Sequence, residues 1–213
     1  MMLQVADQNQ TRLGKRKQEI ALARKKQSIK YIIAVFFATF AIALLLGSGA
    51  EAFLRFFPVS LTWILLLCVI AVGILFDIIG IAVAAGDEAP HHARAAKKVF
   101  GAKQSIYLIK HADKVANFAN DIVGDITGTL SGAMGATIIL SLAVKFPVLS
   151  TWKIYLNVLL LALIASLTVA GKAWGKAIAI NEANRIIAIT GRIIASLEKL
   201  TGLYFTKSKR GGK

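Results

Sequence analysis

Ionisable side chains within or at the ends of long apolar segments are the residues of this sequence best suited to chemistry. They are Asp77, Asp121, Asp125 and Lys172. Charges at such positions are costly, so they commonly face a partner, water or a ligand. Hard cations such as Mg²⁺ bind carboxylate and carbonyl oxygens and keep several waters. The acids therefore form a candidate cation site, with Asp77 and Asp125 as metal ligands. Nearby oxygen donors are Asn120, Thr127 and Ser131.

The same residues allow a second interpretation. Lys172 could form an internal ion pair with either Asp77 or Asp125, which would neutralise both charges and fix the register of the helices. Both interpretations follow from the sequence, and both stay open at this point.

Four apolar segments carry these residues or flank them. Each has eighteen to twenty-one residues without a charge: 31–50, 56–76, 126–144 and 154–171. The second can continue past Asp77 to Ala85. A helix needs about 20 apolar residues to cross a bilayer. The sequence therefore predicts an all-α, polytopic membrane protein with four transmembrane helices. The first segment could instead be a signal peptide, but the thirty polar residues before it favour a retained span.

The charge distribution predicts the topology. The net charge is +15, and 23 of the 26 Lys and Arg residues lie in residues 1–30, in the connection between the second and third spans, and in the segment from Lys172 onward. Basic residues concentrate on the cytoplasmic side of membrane proteins. We therefore expect a multi-pass protein of the inner or plasma membrane with both termini cytoplasmic.

The basic residues of segment 1–30 have no aromatic residue among them, which argues against nucleic-acid binding. Anionic lipids of the inner leaflet are the expected partners of such a segment.

Two further amphipathic regions are predicted on the cytoplasmic side. Residues 87–118 read as a juxtamembrane helical hairpin, with helices over 93–100 and 104–118. Residues 176–204 have apolar residues spaced by three and four opposite a basic face, which predicts a belt helix at the membrane surface. The predicted organisation is a basic N-terminal segment (1–30), an additional span (31–57), a membrane domain (58–204) and a basic tail (205–213).

Small residues form a stripe along the third span. The stripe consists of Gly124, Gly128, Gly132 and Gly135. In lipid, such stripes allow two helix backbones to approach closely. We expect helix packing on this face and a homodimer formed through it.

No catalytic motif is present, so enzyme activity and a resident cofactor are not expected. Cys68 is the single cysteine, which excludes a disulfide within the chain. His91 and His92 are adjacent and point in different directions on a helix, which makes them poor ligands for one metal ion.

The order of elements over residues 60–204 resembles the transmembrane domain of the CorC/CNNM-type magnesium transporters, without their CBS domains. That domain has three spans, a juxtamembrane hairpin after the first and a belt helix after the third. The matching segments are Phe76-Asp77-Ile78-Ile79-Gly80-Ile81-Ala82, Gly101-Ala102-Lys103, Val123-Gly124-Asp125 (or Asn120-Asp121), Gly171-Lys172-Ala173-Trp174-Gly175-Lys176 and Asn184-Arg185-Ile186-Ile187.

The resemblance implies cation binding or transport through a cytoplasm-facing cavity, with Mg²⁺ or Na⁺ as the transported ion. The sequence departs from the family pattern at the expected cation site. Lys172 stands at a glutamate position, Asp77 at a serine position and Asp125 at an asparagine position. The alternative is a non-transporting structural or regulatory membrane module in which Lys172 fills the former cation site.

Overall fold

A computed structural model describes residues 32–49 and 58–202, together with the single residues 29, 52 and 56. The predicted basic segments 1–30 and 205–213 lie outside this part of the chain, apart from residue 29. The chain divides into two compact units, one ending at Ser48 and the other beginning at Gly49. Helix α1, Ile32–Gly49, belongs to the first unit except for its last residue, and its mean hydropathy is 2.4.

The second unit is a bundle of helices, and no strand occurs among the described residues. Its helices are α2 (Val59–Ala85), α3 (Glu88–Ala96), α4 (Ala102–Lys110), α5 (Ala112–Ala116), α6 (Gly124–Lys145), α7 (Lys153–Asn181) and α8 (Ala183–Thr201). A π-helix, Asn117–Val123, joins α5 to α6, and a short 3₁₀-helix, Pro147–Ser150, precedes α7.

Four helices are long and apolar enough to cross a membrane. They are α1, α2, the continuous helix Ala112–Lys145 and α7, with mean hydropathies from 1.5 to 3.0 over an 18-residue stretch of each. The longer ones exceed the roughly 20 residues that a span requires. The prediction of an all-α protein with four membrane-capable helices is confirmed, and the chain is an integral, multi-pass membrane protein.

The membrane core of the second unit is formed by α2, α6 and α7. Its buried side chains include Leu66 and Ile70 of α2, Met134 and Ile138 of α6, and Ile164 of α7. The outward faces of these helices expose large apolar side chains, such as Leu67, Leu140 and Leu163. Exposed apolar surface of this extent is typical of helices that face lipid.

A second core lies where α2 ends against the hairpin and the last helix. Val83 of α2, Leu108 of α4 and Ile187 of α8 are buried together there. The α3–α4 hairpin and the amphipathic α8 thus form a layer at one end of the bundle, which we call the hairpin end.

Three helix boundaries differ from the expectation. The predicted helix 93–100 is observed as Glu88–Ala96, because the chain leaves the helix in a turn whose left-handed residue is Lys98. The predicted helix 104–118 breaks at His111, and its second half continues into the third span. The predicted belt helix 176–204 begins only at Ala183, because residues up to Asn181 extend α7. The apolar period continues across the last two of these boundaries, so periodicity alone does not locate them.

Candidate functional site

An ion pair joins two of the membrane-capable helices. The Lys172 Nζ of α7 lies 3.6 Å from Oδ1 of Asp77 on α2. Both side chains are largely enclosed, with 29% and 14% of their surface exposed. At 3.6 Å the contact is longer than an N–H···O hydrogen bond, so it is a Coulombic attraction between neighbouring charges.

The third span also contacts this ammonium group. A Cβ added to Gly124 of α6 would lie 3.1 Å from Lys172 Nζ. The missing side chain at Gly124 therefore leaves room for the ammonium between α2, α6 and α7. Three spans meet at a single positive charge.

The other two acids do not join this pair. Asp121 and Asp125 are exposed, and within the described part of the chain neither forms an ion pair with Lys172. Asp121 Oδ2 instead accepts a 2.7 Å hydrogen bond from Asn117 Nδ2. The described residues contain no group of three or more His, Cys, Asp or Glu side chains that could hold a metal ion.

Asn120 lies one helical turn from the ion pair, toward the hairpin end. It belongs to the π-helix, and its carboxamide packs directly against Gly80 of α2. Its Oδ1 is buried and has no hydrogen-bond partner among the described residues. Such an oxygen is unusual, because most buried polar atoms are hydrogen-bonded. π-Helical turns are frequent at functional sites.

The predicted hydroxyl donors lie on the opposite side of the ion pair from Asn120. Thr127 packs against Gly73 and donates to the backbone oxygen of Val123 at 2.8 Å. Ser131 Oγ donates to the backbone oxygen of Thr127 at 2.7 Å. Both hydroxyl protons are therefore used within the continuous helix Ala112–Lys145, and only the oxygen lone pairs of Thr127 and Ser131 remain for another ligand.

The glycine stripe packs mainly against α7 of the same chain. Gly124 adjoins Lys172, Gly132 lies near Leu161, and a side chain at Gly135 would collide with Ile164. Gly128 has nothing within 4 Å of the position of an added Cβ. This face of α6 therefore makes close helix contacts within one chain, but the surface at Gly128 is left uncovered.

Two buried ionisable residues, His91 and Glu198, were not among the predicted site residues. His91 of α3 is fully buried, and Glu198 of α8 is 2% exposed and accepts a 2.7 Å hydrogen bond from Gln104 Nε2. A signal for Glu198 was present, because it lies close to the apolar face of the amphipathic α8.

Comparison of the chain with protein-family models, with curated proteins and with solved structures finds no match. The fold and the site define a class: a multi-pass helical membrane protein with an ion pair enclosed between its spans. The likeness to the CorC/CNNM-type transporters stays a prediction carried by the residues quoted above.

Proposed function

We propose that this protein is a non-transporting membrane module in which the Lys172 ammonium takes the place of a bound cation. The observation that carries the proposal is the position of Lys172 Nζ, 3.6 Å from Asp77 and directly over Gly124. A positive charge already neutralises Asp77 there. An incoming cation would have to displace it, which costs the ion pair and leaves an uncompensated ammonium between the spans.

In this function the ion pair holds the spans together, and the hairpin end interacts with its surroundings. The basic segments would contact anionic lipids on the cytoplasmic side of the cell membrane, with both termini cytoplasmic. The protein acts without catalytic chemistry and without nucleic acid. Its structural or regulatory role would be exerted through lipids, a protein partner or a second copy of the chain.

Cation transport is the second candidate, and Asn120 favours it. The buried Oδ1 of Asn120 has no hydrogen-bond partner among the described residues, and carbonyl oxygens of this kind bind hard cations. Mg²⁺ or Na⁺ would then enter a cytoplasm-facing cavity lined by Asp77, Asp125, Asn120 and Ser131. Lys172 would act as a tethered cation that competes with the ion.

Flux and binding measurements on the full chain in proteoliposomes distinguish the two candidates. For the non-transporting module we expect no Mg²⁺ or Na⁺ flux above that of protein-free vesicles. Lys172→Glu should create Mg²⁺ binding, because it removes the ammonium and adds a carboxylate beside Asp77. Lys176→Glu is the matched control: it makes the same charge change one turn further along α7 at an exposed position, and it should create no binding.

Measurable wild-type flux that Asp77→Asn abolishes would overturn the non-transporting module and establish transport. The transport candidate fails in turn if Asp77→Asn and Asp125→Asn both leave a measured flux unchanged.

A further inference from the structure

A cavity at the hairpin end has a basic lining that the Asp77–Lys172 site does not explain. It lies between the turn that joins α3 to α4 and the last turns of α8, and its volume is about 720 Å³. Small-molecule sites typically measure about 300–1,000 Å³. Its charged and amide-bearing lining residues are Lys98, Lys103, Gln104, Glu198 and Lys199.

Lys98 has a backbone conformation that is unfavourable for lysine. Its φ is 52°, in the left-handed region. The N–H of Lys98 bonds to Ala95 O, and the N–H of Val99 bonds to Arg94 O. This pair of bonds is the Schellman motif, whose left-handed residue is usually glycine because a side chain is strained there. A lysine at a strained position on the wall of a cavity suggests a role for its side chain.

The N-terminus of α4 adds backbone donors to the same cavity. Gly101 precedes α4, and no side chain caps the helix. Among the described residues, the N–H groups of Lys103 and Gln104 have no backbone partner outside the helix, and an α-helix offers its first N–H groups none within it. These N–H groups and the helix dipole favour an anion at this end.

The turn that carries these groups is held rigidly against α8. Gly101 has a φ of 83°, and a Cβ there would lie 2.7 Å from the backbone N and Cα of Arg192. Ser105 Oγ lies within hydrogen-bond distance of two backbone oxygens, that of Gly101 at 3.1 Å and that of Ile187 at 3.2 Å. Because the turn is already fixed, binding a ligand there has a smaller entropic cost.

The charges and the rim of the cavity indicate the ligand. Three lysines face one acid, Glu198, whose carboxylate accepts the Gln104 hydrogen bond. Within the described residues, none of the three lysines forms an ion pair with a carboxylate. At the rim, Val99 and Phe100 expose 39% and 56% of their surface. Basic groups beside exposed apolar side chains suit a phosphate that is attached to an acyl-chain lipid.

We infer that this cavity is a phosphate-binding site and that its occupant is the headgroup of an anionic phospholipid. The phosphate oxygens would bind Lys98, Lys103 and the free N–H groups of α4, while the acyl chains would lie along Val99 and Phe100. A soluble phosphate ester offers the same phosphate without the chains. The inference does not rest on the proposed function, because the Asp77–Lys172 pair lies on other elements.

The test is native mass spectrometry of the full chain in detergent, titrated with phosphatidylglycerol, phosphatidylcholine or glycerol phosphate. We expect selective retention of phosphatidylglycerol. Lys98→Gln should weaken this retention about fivefold, the size of effect for one basic residue at an anionic headgroup. Lys97→Gln is the matched control, because Lys97 is adjacent and exposed but does not line the cavity.

Lys98→Gly separates binding from folding. Glycine relieves the left-handed strain, so this variant should unfold at a higher temperature than the wild type. Its retention of phosphatidylglycerol should fall as much as that of Lys98→Gln. If glycerol phosphate alone binds with the same dependence on Lys98, the site is a phosphate site whose source is soluble. The inference would be overturned if Lys97→Gln and Lys98→Gln lost phosphatidylglycerol retention equally. It would also be overturned if both Lys98 variants retained phosphatidylglycerol as the wild type does.

Discussion

Two basic side chains of this protein, Lys172 and His91, lie in contrasting surroundings. Lys172 faces the Asp77 carboxylate, which stabilises its charge. His91 is fully buried, and neither ring nitrogen has a hydrogen-bond partner of standard geometry among the described residues. Burial lowers the pKa of His91, and the positive charge of Arg94 and the neighbouring His92 lower it further. Asn184 opposes this shift, although its contact falls short of hydrogen-bond geometry.

The lowered pKa of His91 predicts a loss of stability in mild acid. Below the ordinary histidine pKa of 6.5, the unfolded chain takes up a proton at this position and the folded chain does not. Stability should therefore fall as the pH drops from 6.5 to the lowered pKa, by at most about 1.4 kcal/mol per pH unit from this group. Below the lowered pKa, both states are protonated and the loss stops growing.

Thermal unfolding of the full chain across this pH range measures the effect. His91→Gln should flatten the slope of stability against pH. His92→Gln is the control, because His92 is exposed and contacts Glu88 at 3.3 Å. Identical pH profiles for the wild type and His91→Gln would contradict the prediction.

Helix pairs in the membrane bundle approach through glycines that face specific side chains. On α6, Gly135 packs against Ile164 and Leu160 of α7, while Gly128 on the same stripe meets nothing within 4 Å of an added Cβ. On α7, Gly171 and Gly175 receive Ile74 and Ile78 of α2. The packing role of the α6 stripe was predicted from its spacing, whereas no packing role was predicted for the two α7 glycines.

The same substitution at two positions of the stripe should have different results. Gly135→Leu should destabilise the fold by about 1–3 kcal/mol or more, because overpacking a close helix contact forces the backbones apart. Gly128→Leu should leave the fold of the single chain nearly unchanged. Thermal unfolding in detergent measures the stability of both variants. Equal losses of stability would contradict the prediction and show that the stripe is packed uniformly.

The oligomeric state of Gly128→Leu tests the expected homodimer. Light scattering of the purified protein should detect dissociation in this variant if a second chain occupies the open part of the stripe. An unchanged dimer would place the interface on another face.

At the scale of the whole molecule, the charge distribution predicts the orientation of the protein in the membrane. Lys97 lies in the turn between α3 and α4, and Thr151 lies in the connection between α6 and α7. The 22 residues of α6 separate the two ends of the bundle. Because the hairpin carries most of the basic residues between spans, the positive-inside rule predicts that it lies in the cytoplasm.

Thiol labelling tests this orientation. In a Cys68→Ser background, a membrane-impermeant reagent should label Thr151→Cys in intact cells and Lys97→Cys only after permeabilisation. Both positions are exposed, so access to the reagent depends on the side of the membrane. The reverse pattern would invert the predicted topology.

The number of membrane-capable helices was determined by the sequence alone, since the length of an apolar run is a local property. In hydrocarbon such a run must satisfy its backbone hydrogen bonds internally, which makes it a helix. The sequence also suggested Asp77 and Asp125 as partners of Lys172. Only the tertiary structure shows that Asp77 is the partner, because which carboxylate reaches Lys172 depends on the rotation of α2 and α6 about their axes. That rotation is set by contacts between residues far apart in the chain, such as Gly80 with Asn120.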